Sequence, residues 1–576
     1  MRYYIFVLFL CVFSMAKAQL NGSLIDTLKS GYSISQQLDS TDLLLPIQSS
    51  TLPGGGLNAS SSIFSAQIVI QSKGGQRFYA FSPWKKMRFS ALPHLGFSYS
   101  FGNKGTQHLL AEYQHVLSTK SLLNIDYNRY SSTGFMRNSE FTHNDLQIQY
   151  NFKGKRYQSD LKIGYQNSNV QQSGGITNDT LLQTLDLIYV PVNKTNAITK
   201  TQLGRINWNN YLDFNKDSLQ SKGIFTQHKL SAKNYSYSET DTLSYIYTLI
   251  NFDSLQTNDN HQLTQFENGF GVYSSNSFHE LKIGLNTNYW QFKNLTSLND
   301  TLEISTFFNF KRERKTSFIN NQFEFNIVGA KNEFHNYFSA IKQLNHIQLN
   351  GAISLESKLP AIYQRLAIGN NYTNLNGQYN KQFNFFSDLN ASYSTKLLTI
   401  KAGHRFSISN NNYFFKETKW EQDTVNNFVL QQLYLNLDFK YKFITIQPKY
   451  TFSIVDQSTD FIPLHQFQGR IFIKGGIFKA KKLKGYLGAD FSYNSSFRQV
   501  YFNALTSSFN FTASTLQLQE QFNLHAFGGI QIEEFKFFVR VENIGRSWNE
   551  ISSSPVSAFP IASMQFRVGI TWDFFN

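Results

Sequence analysis

Along most of this chain apolar and polar residues alternate one for one. From Gln565 to Phe574 the apolar positions are Phe566, Val568, Ile570, Trp572 and Phe574, and between them stand Gln565, Arg567, Gly569, Thr571 and Asp573. Successive side chains of a strand point to opposite faces, so the segment predicts a strand with an apolar, aromatic-ended face and a polar one. Leu433, Leu435, Leu437, Phe439, Tyr441 and Phe443 oppose Gln432, Tyr434, Asn436, Asp438, Lys440 and Lys442 in the same way. Shorter runs repeat it: Phe535, Phe537, Val539 and Val541 against Lys536, Phe538, Arg540 and Glu542, and Leu281, Ile283 and Leu285 against Lys282, Gly284 and Asn286. Runs of about 9–11 residues are what a tilted strand needs to cross a bilayer.

The connections are of two kinds. Short ones fall near Thr119-Lys120 and at Glu533-Glu534, while the stretches 166–200, 234–262, 409–427 and 496–517 are long and rich in Asn, Ser, Thr and Gln. Tight turns at one end and long loops at the other predict an all-β fold, a transmembrane antiparallel β-barrel of the outer membrane with roughly 16–22 strands. The final strand would turn Phe566, Val568, Ile570, Trp572 and Phe574 to lipid while closing against the first strand. That implies outer-membrane lipid and a barrel-assembly machinery as partners. A soluble sandwich or propeller would leave the final apolar face without a purpose, and no regular 40–50-residue repeat is present.

Composition sharpens this. Aromatics make up 16% of the chain, with 55 Phe and 31 Tyr, and charged residues also 16%, against about 25% in ordinary globular domains. Mean hydropathy is −0.34, too low for a helical membrane bundle. Half of each barrel strand faces a polar interior, so a wall can be apolar on one side and average out as polar.

The N-terminus carries a short positive start at Met1-Arg2, an apolar run from Tyr3 to Phe13, and Ala16-Lys17-Ala18. These predict a signal peptide over 1–18 with cleavage between Ala18 and Gln19, which would remove the one cysteine, Cys11, and lower the net charge of +15 by two. Residues 19–62, with Pro46, Pro53 and Gly54-Gly55-Gly56 and little alternation, predict a periplasmic lead-in or small plug segment. Their length is near the lower limit for a folded domain. Residues 63–576 are assigned to the barrel.

Several of these motifs together resemble the β-barrel porins of Bacteroidota. The likeness rests on the C-terminal run from Phe566 to Asn576, on Phe538-Val539-Arg540-Val541-Glu542-Asn543, and on the stretch from His94-Leu95-Gly96 through Tyr113-Gln114, Tyr127-Asn128-Arg129 and Gly134 to Gly174-Gly175-Ile176. Pro555 and Phe559-Pro560 are what remains of a proline-rich turn before the last strand. The resemblance implies a porin-like protein of the outer membrane without specifying a solute.

Function then turns on the lumen, because wall side chains set what passes a pore. Alternation places Lys162, Lys282, Lys440, Lys442, Arg470 and Lys474 on the inner face, followed by Lys484, Lys536, Arg540 and Arg567. Asp438, Asp490, Glu534, Glu542 and Asp573 join them, giving an excess of basic groups and an expected weak anion preference. The basic runs Lys311–Lys315 and Lys479–Lys484 read as solvated turns or contacts to lipid headgroups. No H-E-x-x-H, G-x-S-x-G or Gly-rich phosphate loop appears, so no catalytic residue, metal ligand set or cofactor is expected. His115, His404 and His525 are read as lumen or girdle residues. No nucleic-acid module is present. The expected function is a channel for passive or facilitated diffusion of small hydrophilic solutes; the alternative is a filled structural or secretion-associated barrel that binds a partner protein. Active uptake would need a plug and an energy-coupling segment, which 19–62 does not evidently supply.

Overall fold

The structure is a computed structural model that describes residues 52–54, 81–85, 87, 92–214, 220–240, 247–374, 379–423, 427–454, 460–478, 482–510, 516–548 and 554–575. Twenty-two strands form one sheet in which each pairs antiparallel with its neighbours in sequence. The first, His94–Gly102, closes on the last, Gln565–Phe575, with Leu95 opposite Phe574, Phe97 opposite Trp572, Tyr99 opposite Ile570 and Phe101 opposite Val568. Both faces of the seam continue without a break, so no edge is left unpaired. None of the described helices is long and apolar enough to cross a membrane; the crossing elements are strands.

Tight turns gather at the end that also holds the start of the first strand and the close of the last. Asn345-His346, Lys442-Phe443 and Glu533-Glu534 each join two strands, with positive φ at the first residue of each. Such turns follow the right-handed twist of the flanking strands. The opposite end carries the long connections, among them 172–196, 240–256, 359–381, 411–427, 495–520 and 543–564. Gln220–Glu239 and Thr257–Asn276 run 20 residues each, about twice what a crossing needs, so their far ends stand clear of the bilayer on the long-loop side. This is why 166–200 and 234–262, read as loops from composition, are strand at their margins: the wall becomes polar on both faces once it leaves the lipid.

The outward face is apolar, as at Leu285, Leu389, Leu433 and Ile473, each about half exposed. Glycines on the inner face make room for rings. A Cβ on Gly569 would lie 2.4 Å from the Phe538 ring, and one on Gly529 would lie 2.5 Å from the Tyr486 hydroxyl. Phe472, Tyr486, Phe527 and Phe538 therefore pack as a small inner cluster on the wall beside the seam.

Among the described residues the first wall strand begins at His94. Phe81–Lys85 lies inside the lumen, and its backbone bonds go to side chains of Gln147, Gln149, Gln166 and Arg205 rather than to a strand. The signal-peptide residues 1–18, the cleavage pair Ala18 and Gln19, and most of 19–62 lie outside the described residues.

Candidate functional site

The lumen is the candidate site, and its wall is a charge-paired surface. On the strands next to the seam, Arg470 Nε and Nη2 donate to Asp490 Oδ1 and Oδ2 at 2.5 and 3.0 Å. Arg540 Nη2 reaches Asp490 Oδ2 at 2.8 Å. Glu542 Oε1 then lies between Arg540 Nε at 3.2 Å and Arg567 Nη2 at 2.9 Å. Arg540 is 1% exposed and Glu542 2%, so this ladder of five charges across strands is shielded from bulk water. Such groups hold their charge in a shielded place because each has an opposite partner.

Several other predicted wall charges are paired too, though more openly. Lys162 meets Asp160 at 3.4 Å, Lys440 meets Asp438 at 2.9 Å, and Lys282 binds Glu280 at 2.6 Å and the Tyr211 hydroxyl at 3.0 Å. Asp573 sits 3.1 Å from His94 Nε2 across the seam. Lys536 is buried and Lys474 lies on the inner face toward the tight-turn end. Lys442 departs from expectation: with φ +50 it begins a turn and is exposed at the rim, because the strand has already ended. His525 faces inward and accepts from the Asn543 amide, while His115 and His404 lie on the outward face. Phe566, Val568, Ile570, Trp572 and Phe574 are on the outward face of the last strand, with Phe566 and Trp572 about half exposed.

Alternation in a few clear strands overstated the positive charge. Asp145, Glu239, Glu267, Glu324, Glu356 and Asp388 also face inward, and they bring the inner wall of the described strands close to charge balance. Lys229 pairs with Glu267 at 2.5 Å and Arg405 with Asp388 at 2.9 Å.

The long loops fold over and into the outer mouth. Phe135, Met136, Ile176, Val190, Phe461 and Phe497 form one buried cluster there, which Leu52 of the N-terminal segment also joins. A second contains Tyr363, Tyr372, Phe415, Trp420 and Leu505 from the loops, packed on Tyr235, Tyr237 and Phe292 of the wall. Polar bonds tie loop to loop. Asn370 accepts at Oδ1 from the amides of Phe252 and Asp253 (2.8 and 2.9 Å) and donates through Nδ2 to the Asp253 carbonyl (2.7 Å), while its own amide donates to Asp259 Oδ1 at 2.7 Å. Asn371 Nδ2 donates to the Leu249 carbonyl at 3.0 Å. Lys194 donates to Glu239 Oε1 at 2.6 Å, and the hydroxyls of Tyr247 and Tyr237 donate to the other oxygen of that carboxylate at 2.6 and 2.8 Å. Burial, with the neighbouring carboxylate, pushes the Tyr247 hydroxyl up. The Leu255 amide holds the exposed Asp253 carboxyl below its usual value. The Tyr235 hydroxyl donates to the Leu505 carbonyl at 2.7 Å, and Asn510 Nδ2 to the Phe415 carbonyl at 2.6 Å. These bonds join separate loops into a single cap.

Below the cap, Phe81–Lys85 runs as a strap along the inner wall. The Arg205 guanidinium lies 3.6 Å from the Trp84 ring centre and 4.9 Å from that of Phe81, and it donates to the Ser82 carbonyl. Gln147 and Gln149 hold Lys85 by its amide at 2.9 Å and its carbonyl at 2.8 Å. Nearer the tight turns a cavity of about 450 Å³ opens beside the wall, lined by Lys153, Tyr211, Tyr273, Glu280 and Lys282 among others. The residues of cap and strap were not picked out from sequence. Asn370-Asn371, following Gly369, is a turn signal that was available; nothing in the alternation marks Arg205 as different from other inward bases.

Closed antiparallel topology, an apolar outward face and an inward charged wall define an outer-membrane β-barrel. The chain belongs to the family described as "Putative porin", whose model matches residues 79–576. No curated protein matches it. Among solved structures it is similar to the copper transporter OprC (8% identity, TM-score 0.62, covering 85% of this chain and 82% of that one). It is also similar to the siderophore receptor PirA from Acinetobacter baumannii (10%, 0.58, 85% and 81%) and to the ferric-catecholate import receptor Fiu from K12 E. coli (10%, 0.59, 85% and 82%). At these identities the likeness is one of fold. The protein resides in the outer membrane.

Proposed function

We propose that the protein conducts small hydrophilic solutes across the outer membrane through a lumen that is closed at rest. The observation that carries this reading is the pairing of a polar, charge-balanced inner wall with two internal closures, the loop cap and the Phe81–Lys85 strap. A wall of Gln, Asn and paired charges is suited to water and polar solutes. Closure is expected of so wide a barrel, since 22-stranded outer-membrane transporters have a plugged lumen. Passage would follow displacement of cap and strap, with selection by pore width and paired wall charges and no covalent chemistry. Nothing named among the family and the similar structures is an enzyme, which accords with a non-catalytic role. The named functions of those structures, copper transport and siderophore reception, lend support to solute uptake as a class but not to any one solute.

The same cap also favours a second reading, a filled barrel whose loops bind a partner protein. Planar-bilayer recording separates the two: a closed conduit opens when the cap and the strap are loosened together by mutation, whereas a filled barrel stays silent. The outer-membrane assembly machinery is the partner expected during insertion, by virtue of the closing strand.

A further inference from the structure

The outward face at the tight-turn end carries basic side chains nearly all the way round. On the strand Leu298–Arg314 the outward column reads Phe308, Phe310, Arg312 and Arg314, ending in two arginines. Lys342 follows Phe338 and Ala340 outward on Phe334–Leu344, and Lys222 stands before Ile224 on Gln220–Glu239. The turns between strands add Lys155 and Arg156, Lys396, Lys442 and Lys482, all exposed. Among the described residues acids interrupt this ring at Glu533-Glu534 beside the seam, and the exposed Glu313 stands between Arg312 and Arg314. The long loops at the other end mix both signs, carrying Asp179, Asp186, Glu417 and Asp460 as well as Lys416, Lys419 and Arg498.

We infer that this basic collar binds the phosphates of anionic phospholipids in the periplasmic leaflet. Three placements favour lipid over a soluble acidic partner. On the three strands named, the basic groups lie at the tight-turn ends of outward columns that hold Phe, Ala and Ile, so they fall near headgroup depth. Long Lys and Arg side chains lie along apolar surface with the charge in the polar layer. They are spread from the Lys155-Arg156 turn round to Lys482, as a surrounding plane of headgroups requires, whereas a soluble protein would meet one sector of the rim. Attraction of this kind adds up over many basic groups and fades within about 10 Å at 0.1 M salt.

The test uses the intact protein in vesicles containing brominated phosphatidylglycerol or brominated phosphatidylcholine, read by tryptophan quenching. Trp572 and Trp208 are outward and about half exposed, so they report on annular lipid. The expected result is a binding constant for phosphatidylglycerol roughly threefold or more above that for phosphatidylcholine, shrinking toward equality in high salt. In a variant carrying Arg312→Glu, Arg314→Glu, Lys342→Glu and Lys396→Glu the preference should vanish, with heat-modifiable gel migration confirming a folded barrel. A milder set with Gln at the same positions should fall between. Equal quenching by both lipids in the natural protein would overturn the inference and leave the collar to a soluble acidic partner. So would a preference that survives charge reversal. Abolition of the preference by millimolar inorganic phosphate, at constant ionic strength, would point to a free-anion site and likewise overturn it.

Discussion

Asp490→Asn probes how dry the lumen wall is beside the seam. Asp490 receives Arg470 through two bonds of 2.5 and 3.0 Å and Arg540 at 2.8 Å, and Arg540 is 1% exposed. Neutralising it leaves two shielded guanidinium groups facing one another with only Glu542 on the far side. Removing one partner of a buried ion pair costs about 3–5 kcal/mol, whereas an exposed pair is worth about 0.2–1 kcal/mol. Asp438→Asn supplies the control, since Lys440 beside it is half exposed. Equilibrium urea unfolding of the refolded barrel in vesicles, followed by tryptophan fluorescence, should show a loss of several kcal/mol for Asp490→Asn and under about 1 kcal/mol for Asp438→Asn. Equal, small losses would mean that water reaches the ladder freely and that this side of the lumen is not packed as described.

On the last strand, arginine at Phe566, Val568 or Ile570 should cost about 2–4 kcal/mol near the bilayer midplane and less toward either interface, while Thr571→Arg on the inner face should be milder; folded protein recovered from the outer membrane gives the comparison. Gly569→Val drives a side chain into the Phe538 ring and should cost about 1–3 kcal/mol by overpacking, read by the same unfolding assay. Because the wall is near charge balance, an opened channel should show little ion preference under a salt gradient, and Lys440→Glu with Lys474→Glu and Lys536→Glu should move the reversal potential toward cations. An unchanged potential would take these lysines out of the conduction path.

The wall was legible because it obeys a period of two: lipid on one side and polar lumen on the other force each strand into alternation, as from Gln432 to Phe443. The closing strand was legible for the same reason. Alternation fails where a strand leaves the bilayer, so residues 234–239 of Gln220–Glu239 and 257–262 of Thr257–Asn276 looked like loop. It also cannot tell a wall residue from the start of a turn, which is how Lys442 came to be placed inside. Net lumen charge was misjudged because acids such as Glu239 and Asp388 sit in strands whose pattern is less regular. The cap and strap were illegible for a deeper reason. Asn370 and Arg205 act through contacts with residues more than a hundred positions away, and neither local propensity nor periodicity carries that information.

Single-channel recording in planar bilayers tests the central claim most directly, with the natural protein beside the double variant Asn370→Ala with Arg205→Ala. Closure by cap and strap predicts few or no openings for the natural protein and sustained conductance once Asn370 no longer ties the loops and Arg205 no longer holds the strap. Steady conductance in the natural protein would contradict closure at rest, and silence in the folded double variant would contradict the conduit itself.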